Sequence, residues 1–332
     1  MYLLILIVTV VFSGIANPPL ADALSSFANT IERAKAATVA ILKETPLDST
    51  PAPRTHFSIR GSGIHLQDGY IITASHAVDR PEDSQTVMPK EIHVLTQHLF
   101  ELPASFVGFN AFLDIAVYRL KQGDSPSPLP ATSFASEEAR SGDDVFTIGY
   151  PLGWGPAMGF GRMGNPNTFL PTVQSRLHQV DLSACSGNSG GGLFNHRGEI
   201  VGVVHAIIQT ETNENDRRCS RFAFAVPGAL VQKIVTALMQ GTSLKFSTLG
   251  IQLTTKQKNH QWKVVVGKAT GPAQTGGVRK GDVILSIENH PIHTPAELKT
   301  FLIEQTTPGQ RITLQIQRGK IQHRLLVTLG GL

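Results

Sequence analysis

Charge and cysteine are both scarce in this sequence. Asp, Glu, Lys and Arg make up 16% of its 332 residues, and only Cys185 and Cys219 carry thiols. The net charge of +4 is spread without basic blocks, so a nucleic-acid partner is not indicated. No Cys-x-x-Cys or similarly short ligand spacing occurs, which argues against zinc held by the cysteines with His178 or His205. Neither metal nor cofactor is expected. No apolar run approaches the roughly twenty residues of a membrane span; the longest, residues 2–15, falls short and lacks a preceding Lys or Arg. Ala21-Asp22-Ala23 then offers a small-x-small cleavage pattern, so residues 1–23 read as a signal peptide, or as an uncleaved anchor. Either way the body of the chain is exported. The 41% apolar content suits a globular protein with room for more than one core.

Chemistry concentrates in three places. Gly187-Asn188-Ser189-Gly190-Gly191 is a glycine-rich turn around a serine. Such a turn can aim backbone N–H groups at one point, as stabilisation of an oxyanion requires, or it can be a plain surface turn. Tyr70-Ile71-Ile72-Thr73-Ala74-Ser75-His76-Ala77 is a strand-like run ending in a histidine. In Phe112-Leu113-Asp114-Ile115-Ala116-Val117 one carboxylate interrupts an apolar run, an awkward position without a partner. Serine is a poor nucleophile without a base. His76 is the expected base, Asp114 its orienting carboxylate and Ser189 the nucleophile, with Gly187, Asn188 and Ser189 forming the oxyanion loop.

These segments resemble the HtrA family of trypsin-fold serine proteases. Similar runs stand at Gly61-Ser62-Gly63, Ile148-Gly149-Tyr150-Pro151-Leu152-Gly153, Gly198-Glu199-Ile200-Val201-Gly202 and Phe222-Ala223-Phe224-Ala225-Val226-Pro227. The resemblance covers roughly residues 24–332. It implies an all-β, chymotrypsin-like double-barrel protease domain over 24–242 and a small α+β PDZ domain over 246–332. Thr248-Leu249-Gly250-Ile251 is similar to the PDZ carboxylate loop, with Leu249, Gly250 and Ile251 offering N–H groups to a peptide C-terminus. Gly276-Gly277-Val278-Arg279-Lys280-Gly281-Asp282 is similar to the most recognisable PDZ stretch, and no second copy follows. A single PDZ domain resembles the DegS-type branch.

The local pattern gives the elements. Residues 25–43 read as a helix running into a strand, and 44–57 as a loop. Strands are expected at 58–66, 70–74, 91–95, 104–109, 113–120 and 144–149, making a first barrel, with a second barrel over 157–226. Pro227, then Leu230, Ile234 and Leu238, then Gly241 mark a helix and its stop. Thr294-Pro295-Ala296-Glu297 is a capping box.

The resemblance carries further expectations. Ser183, six residues before the serine, is small and neutral where trypsin-like enzymes that cut after basic residues hold an acid. Ile207 stands where the family narrows the pocket, so cleavage after small or medium aliphatic residues is expected. His205 departs from the small polar residue usual on this strand, and either hydrogen-bonds near Asp114 or faces solvent. Export favours pairing of Cys185 with Cys219 over two free thiols; chymotrypsin-like enzymes often carry a bridge there, and most HtrA proteins do not. The implied partners are unfolded polypeptides as substrates, C-terminal peptides at the PDZ groove, and two further copies in a homotrimer that Phe27 helps to hold. The implied place is the bacterial periplasm. A DegS-like sensor making one signalling cut, and a peptide-binding holdase with a dormant site, are the alternatives.

Overall fold

A computed structural model describes residues 20–46, 55–78, 87–121, 123, 129–170, 175–207, 219–258 and 261–332. The apolar run at 2–15 lies outside them, and no described helix is long and apolar enough to cross a membrane. The helix expected near 25 begins earlier, as α1 (Leu20–Ala36), upstream of the expected cleavage point after Ala23.

Six strands close the first barrel: β1 (Thr38–Pro46), β2 (Thr55–His65), β3 (Tyr70–Ala74), β4 (Glu91–Leu95), β5 (Glu101–Asn110) and β6 (Ile115–Leu120), in the order β1-β2-β3-β6-β5-β4. Part of the expected 44–57 loop is therefore strand, since Lys43 to Pro46 pair in register with Ser58 to Thr55. Alternation points Ile92 and Val94 of β4 inward, where they meet Val39, Ile41, Ile71 and Tyr118.

The second barrel comprises β7 (Asp144–Gly149), β8 (Ala157–Thr168), β9 (Leu177–Cys185), β10 (Gly192–Phe194), β11 (Ile200–Ile207) and β12 (Cys219–Pro227), ordered β10-β11-β12-β9-β8-β7. This corrects the grouping of strands. The 144–149 run opens the second barrel because it pairs with β8 and β10, and the strand after α1 takes its place in the first. Cys185 and Cys219 lie opposite each other across β9 and β12 and are joined as a disulfide. Ile64, Ile72, Ile115 and Val117 of the first barrel share one buried cluster with Phe146, Ile148, Phe194 and Val203 of the second. The barrels are thus fused through a common core.

Helix α2 (Gly228–Met239) adds Leu230, Val231, Ile234, Val235 and Leu238 to that cluster, a face set by helical spacing. Pro227 is its N-cap residue rather than part of its first turn, and the left-handed Gly241 follows its end. The PDZ domain follows as β13 (Ser247–Thr248), β14 (Ile251–Lys258), β15 (Gln261–Ala269), α3 (Gly271–Thr275), β16 (Val283–Ile287), β17 (His290–Pro291), α4 (Pro295–Gln305), β18 (Arg311–Arg318), β19 (Ile321–Thr328) and β20 (Gly330–Gly331). Its sheet runs β14-β15-β16-β18-β19 over a core that includes Val266, Ile284, Leu298 and Ile316. Thr294 Oγ1 accepts from the Glu297 N–H at 3.1 Å, while the Glu297 carboxylate accepts from the His293 N–H at 2.7 Å.

The two domains are locked together by a buried guanidinium. Arg176, just before β9, is 5% exposed and grips Glu304 at the end of α4 with two N–H groups; one of them also reaches Glu138. Phe112 packs against Phe246 in a tilted pair with ring centroids 4.7 Å apart.

His178, fully buried on β9, donates from Nδ1 to the Pro166 carbonyl at 3.1 Å, and its Nε2 has no partner among the described residues. Burial pushes its pKa down to about 4 despite that hydrogen bond, and Arg176 adds to the depression. Between about 4 and the ordinary 6.5 the unfolded chain therefore binds more protons than the folded one. Stability attributable to His178 is complete above about pH 6.5, drains as pH falls and levels off below about 4, a span worth about 3 kcal/mol. His65, also depressed by burial, acts with the same sign. We expect the His178 ring resonances to stay unshifted down to about pH 5, and urea unfolding of His178→Gln to lose part of the acid-side slope. Titration of that ring near pH 6.5 would contradict this account.

Candidate active site

The serine turn hangs between β9 and β10 and docks on the first barrel. Ser62 donates its N–H to the Ser189 carbonyl at 2.9 Å, and its Oγ donates to the Gly187 carbonyl at 2.7 Å while accepting from the Tyr150 N–H at 2.9 Å. That hydroxyl fixes the peptide plane after Gly187. Gly187 has φ +100°, and a Cβ there would lie 2.3 Å from the Tyr150 carbonyl oxygen; at Gly190 (φ +84°) it would lie 2.2 Å from the Ser62 carbonyl oxygen. Only glycine satisfies both the angle and the approach. Neither the Gly187 nor the Ser189 N–H donates to any described residue, so both remain for an incoming oxyanion. Asn188 differs from the sequence expectation. Its N–H is spent on the Cys185 carbonyl at 3.0 Å and its Oδ1 accepts from the Cys185 N–H, so it holds the turn and donates nothing to the hole.

Asp114 occupies the turn between β5 and β6 at φ 57°, a left-handed conformation that Asp tolerates better than most residues. Asn110 Oδ1 braces that turn by accepting from the Leu113 N–H at 3.0 Å. The two carboxylate oxygens are used differently. Oδ1 accepts from the Ser75 hydroxyl and from the His76 backbone N–H, the latter at 2.9 Å. Oδ2 takes the Nδ1–H of His76, which sits in the turn after β3. His205 of β11 also brings its Nδ1 to 3.0 Å from Oδ2, close but off the line of a hydrogen bond. Burial favours the neutral acid, yet His205, His76 and Ser75 together hold the Asp114 pKa far below the usual carboxylate range. The carboxylate is therefore ionised, and His76, donating from Nδ1, keeps the lone pair on Nε2.

His76 and Asp114 are thus brought together as the sequence anticipated, and Ser189 sits on the facing barrel. Its Oγ reaches the His205 carbonyl at 3.5 Å and makes no hydrogen bond to His76 among the described residues. Such bonds commonly close only when substrate is bound. Sequence reasoning left open whether His205 approaches Asp114 and missed Ser75, which lies in the quoted run beside His76. Ser183 is exposed on β9, and Ile207 ends β11 opposite Ala223, with its side chain outside the described residues.

A groove of about 460 Å³ runs between β14 and α4. It is lined by Leu249, Gly250, Ile251, Leu298 and Leu302, and on the protease side by Phe112, two residues before Asp114. The Gly250 N–H already donates to Thr248 Oγ1 at 3.1 Å, unlike the free donor expected from sequence.

Residues 61–203 match the trypsin-like peptidase domain family and residues 247–329 the PDZ domain family. A "Probable periplasmic serine endoprotease DegP-like" of Pseudomonas savastanoi pv. phaseolicola is 29% identical over 82% of this chain and 56% of its own length. The chain thus spans little more than half of that relative. "Serine endoprotease DegS" of Haemophilus influenzae is 27% identical over 90% of this chain and 86% of its own. Among solved structures, "HtrA-type protease AlgW with decapeptide" superposes with a TM-score of 0.74 at 23% identity, covering 92% of this chain and 98% of that one. The serine endoprotease from Yersinia pestis gives 0.64 at 26% identity, covering 92% and 98%. Across a trypsin-like double barrel and the one PDZ domain after it, the chain is similar to the HtrA-type serine proteases.

Proposed function

We propose that this chain is an exported, ATP-independent serine endopeptidase that cuts polypeptides after small or medium aliphatic residues. The observation that carries the reading is the pairing of an ionised Asp114–His76 couple with a serine turn whose two N–H groups are unspent. Ser189 Oγ attacks the scissile carbonyl while His76 Nε2 takes its proton. Asp114 stabilises the imidazolium so formed, and His76 then returns the proton to the leaving amine. The Gly187 and Ser189 N–H groups receive the oxyanion, an effect of order a hundredfold or more per donor. The substrates are unfolded or damaged proteins. Regulatory cleavage of a single substrate is the second reading, favoured by the DegS relative, which this chain matches over most of its length. Periplasmic relatives support the same compartment here.

Ser189→Ala is expected to abolish both casein cleavage and labelling by a fluorophosphonate probe, with the circular dichroism spectrum unchanged. His76→Ala should fall by at least about a thousandfold, because the members act as a unit. Cleavage persisting in purified Ser189→Ala protein would sink the assignment.

The groove between β14 and α4 is proposed to take peptide C-termini as an added strand and to regulate the protease. Support comes from Phe112, which walls the groove and stands in the turn that holds Asp114. A peptide activates only by binding the active arrangement more tightly than the resting one. Peptides with an apolar C-terminal residue should raise turnover, and their C-terminal amides should not; equal turnover at saturating peptide would reduce the groove to a tether.

A homotrimer through the protease domains is proposed as the assembly. Phe160 is 56% exposed and lines an apolar hollow of about 500 Å³ with Phe27 and Phe146, a surface of the kind that partners cover. Phe160→Asp should sediment as a monomer. A wild-type protein that sediments as a monomer at every concentration tried would refute the trimer.

A further inference from the structure

We infer that His76, Asp114 and His205 form a zinc site, and that Zn2+ bound there holds the protease off. The binding claim stands on geometry alone; the inhibitory consequence rests on the proposed protease activity. One ligand atom from each of the three residues falls within 4.8 Å of the others. Two imidazole nitrogens and a carboxylate oxygen are a donor set that suits Zn2+ and disfavours Mg2+ or Ca2+.

Three details make this more than a coincidence of residue types. First, both imidazoles turn the same nitrogen, Nδ1, toward the same oxygen, Oδ2. Second, Oδ1 is clamped by the Ser75 hydroxyl and the His76 N–H, which orients the carboxylate as outer-shell partners orient a metal ligand. Third, His205 Nδ1 is buried, faces Oδ2 off the line of a hydrogen bond, and carries no proton in the triad chemistry. Tetrahedral zinc with bonds near 2.1 Å separates its ligand atoms by about 3.4 Å, and His205 Nδ1 already stands 3.0 Å from Oδ2. His76 lies closer and must swing outward, which its 47% exposed side chain can do. The same opening admits the ion and a water as fourth ligand.

Inhibition follows from the tautomer. Catalysis needs the His76 proton on Nδ1 and a lone pair on Nε2. Zinc on Nδ1 moves that proton through solvent to Nε2, with no net proton released from the neutral ring. His76 then has no lone pair with which to accept the Ser189 proton.

The test uses the full chain carrying Ser189→Ala, so that zinc binding is read without proteolysis. Isothermal titration with zinc chloride, checked by competition with a chromogenic chelator, should give one tight ion per chain. Adding His205→Ser should weaken it by at least about tenfold, the scale at which even outer-shell losses act. His205→Asn provides the same reading should the serine variant fold poorly, with thermal melts as the control. In active protein, zinc should block fluorophosphonate labelling and chelator should restore it, while His205→Ser, compared with its own metal-free rate, should be indifferent. Absence of tight binding, or binding of full strength without His205, overturns the site. Binding without any detectable protease activity would leave the site standing and remove the protease reading instead.

Discussion

The close docking of the serine turn on the edge of β2 is the contact on which the rest of the molecule depends. A backbone hydrogen bond from Ser62 to the Ser189 carbonyl joins the first barrel to the second, and the Ser62 hydroxyl fixes the peptide after Gly187 from the same side. That contact sets the serine turn against the barrel that carries His76 and Asp114. His76 and Asp114 come from the turns at the ends of β3 and β5, and Ser189 from the loop before β10. Barrel closure makes the elements rigid, and the shared core of Ile64, Ile115, Phe146 and Phe194 sets one barrel against the other. The precision of a hydrogen-bonded site on rigid strands is what electrostatic stabilisation requires.

Electrostatics at the site centre on one buried carboxylate. Burial alone would neutralise Asp114, but donors on every side keep it charged, and a charged group so placed orients the imidazole it faces. Arg176 poses the same problem at the domain junction and solves it with two carboxylates, Glu304 and Glu138. Removing either partner from such a buried pair leaves an uncompensated charge. The PDZ domain is therefore seated rather than tethered, through this pair and the Phe112–Phe246 contact. Phe112 belongs at once to the peptide groove and to the turn of Asp114.

Much of the site was legible because its chemistry lies in short local runs. The glycines around Ser189, the histidine after an apolar strand, the isolated Asp114 and the box at Thr294 each depend on a few adjacent residues. Helix α2 was equally plain, since its buried face repeats at helical spacing. Backbone demands such as the left-handed Gly187 are also written locally, because only one residue type meets them.

What the sequence could not decide is which distant segments pair. Strand 144–149 reads like its predecessors, and only hydrogen bonds to β8 and β10 assign it to the second barrel. Asn188 sits inside the oxyanion loop by sequence, yet its N–H closes the turn from Cys185. His205 meets Asp114 across 91 positions of chain and Arg176 meets Glu304 across 128, contacts that periodicity cannot encode. The sequence alone determined the residue types, their order and the local turns. Tertiary structure decided which of them face one another, because barrel closure and domain docking are set by long-range pairing and shared burial, and not by any local pattern.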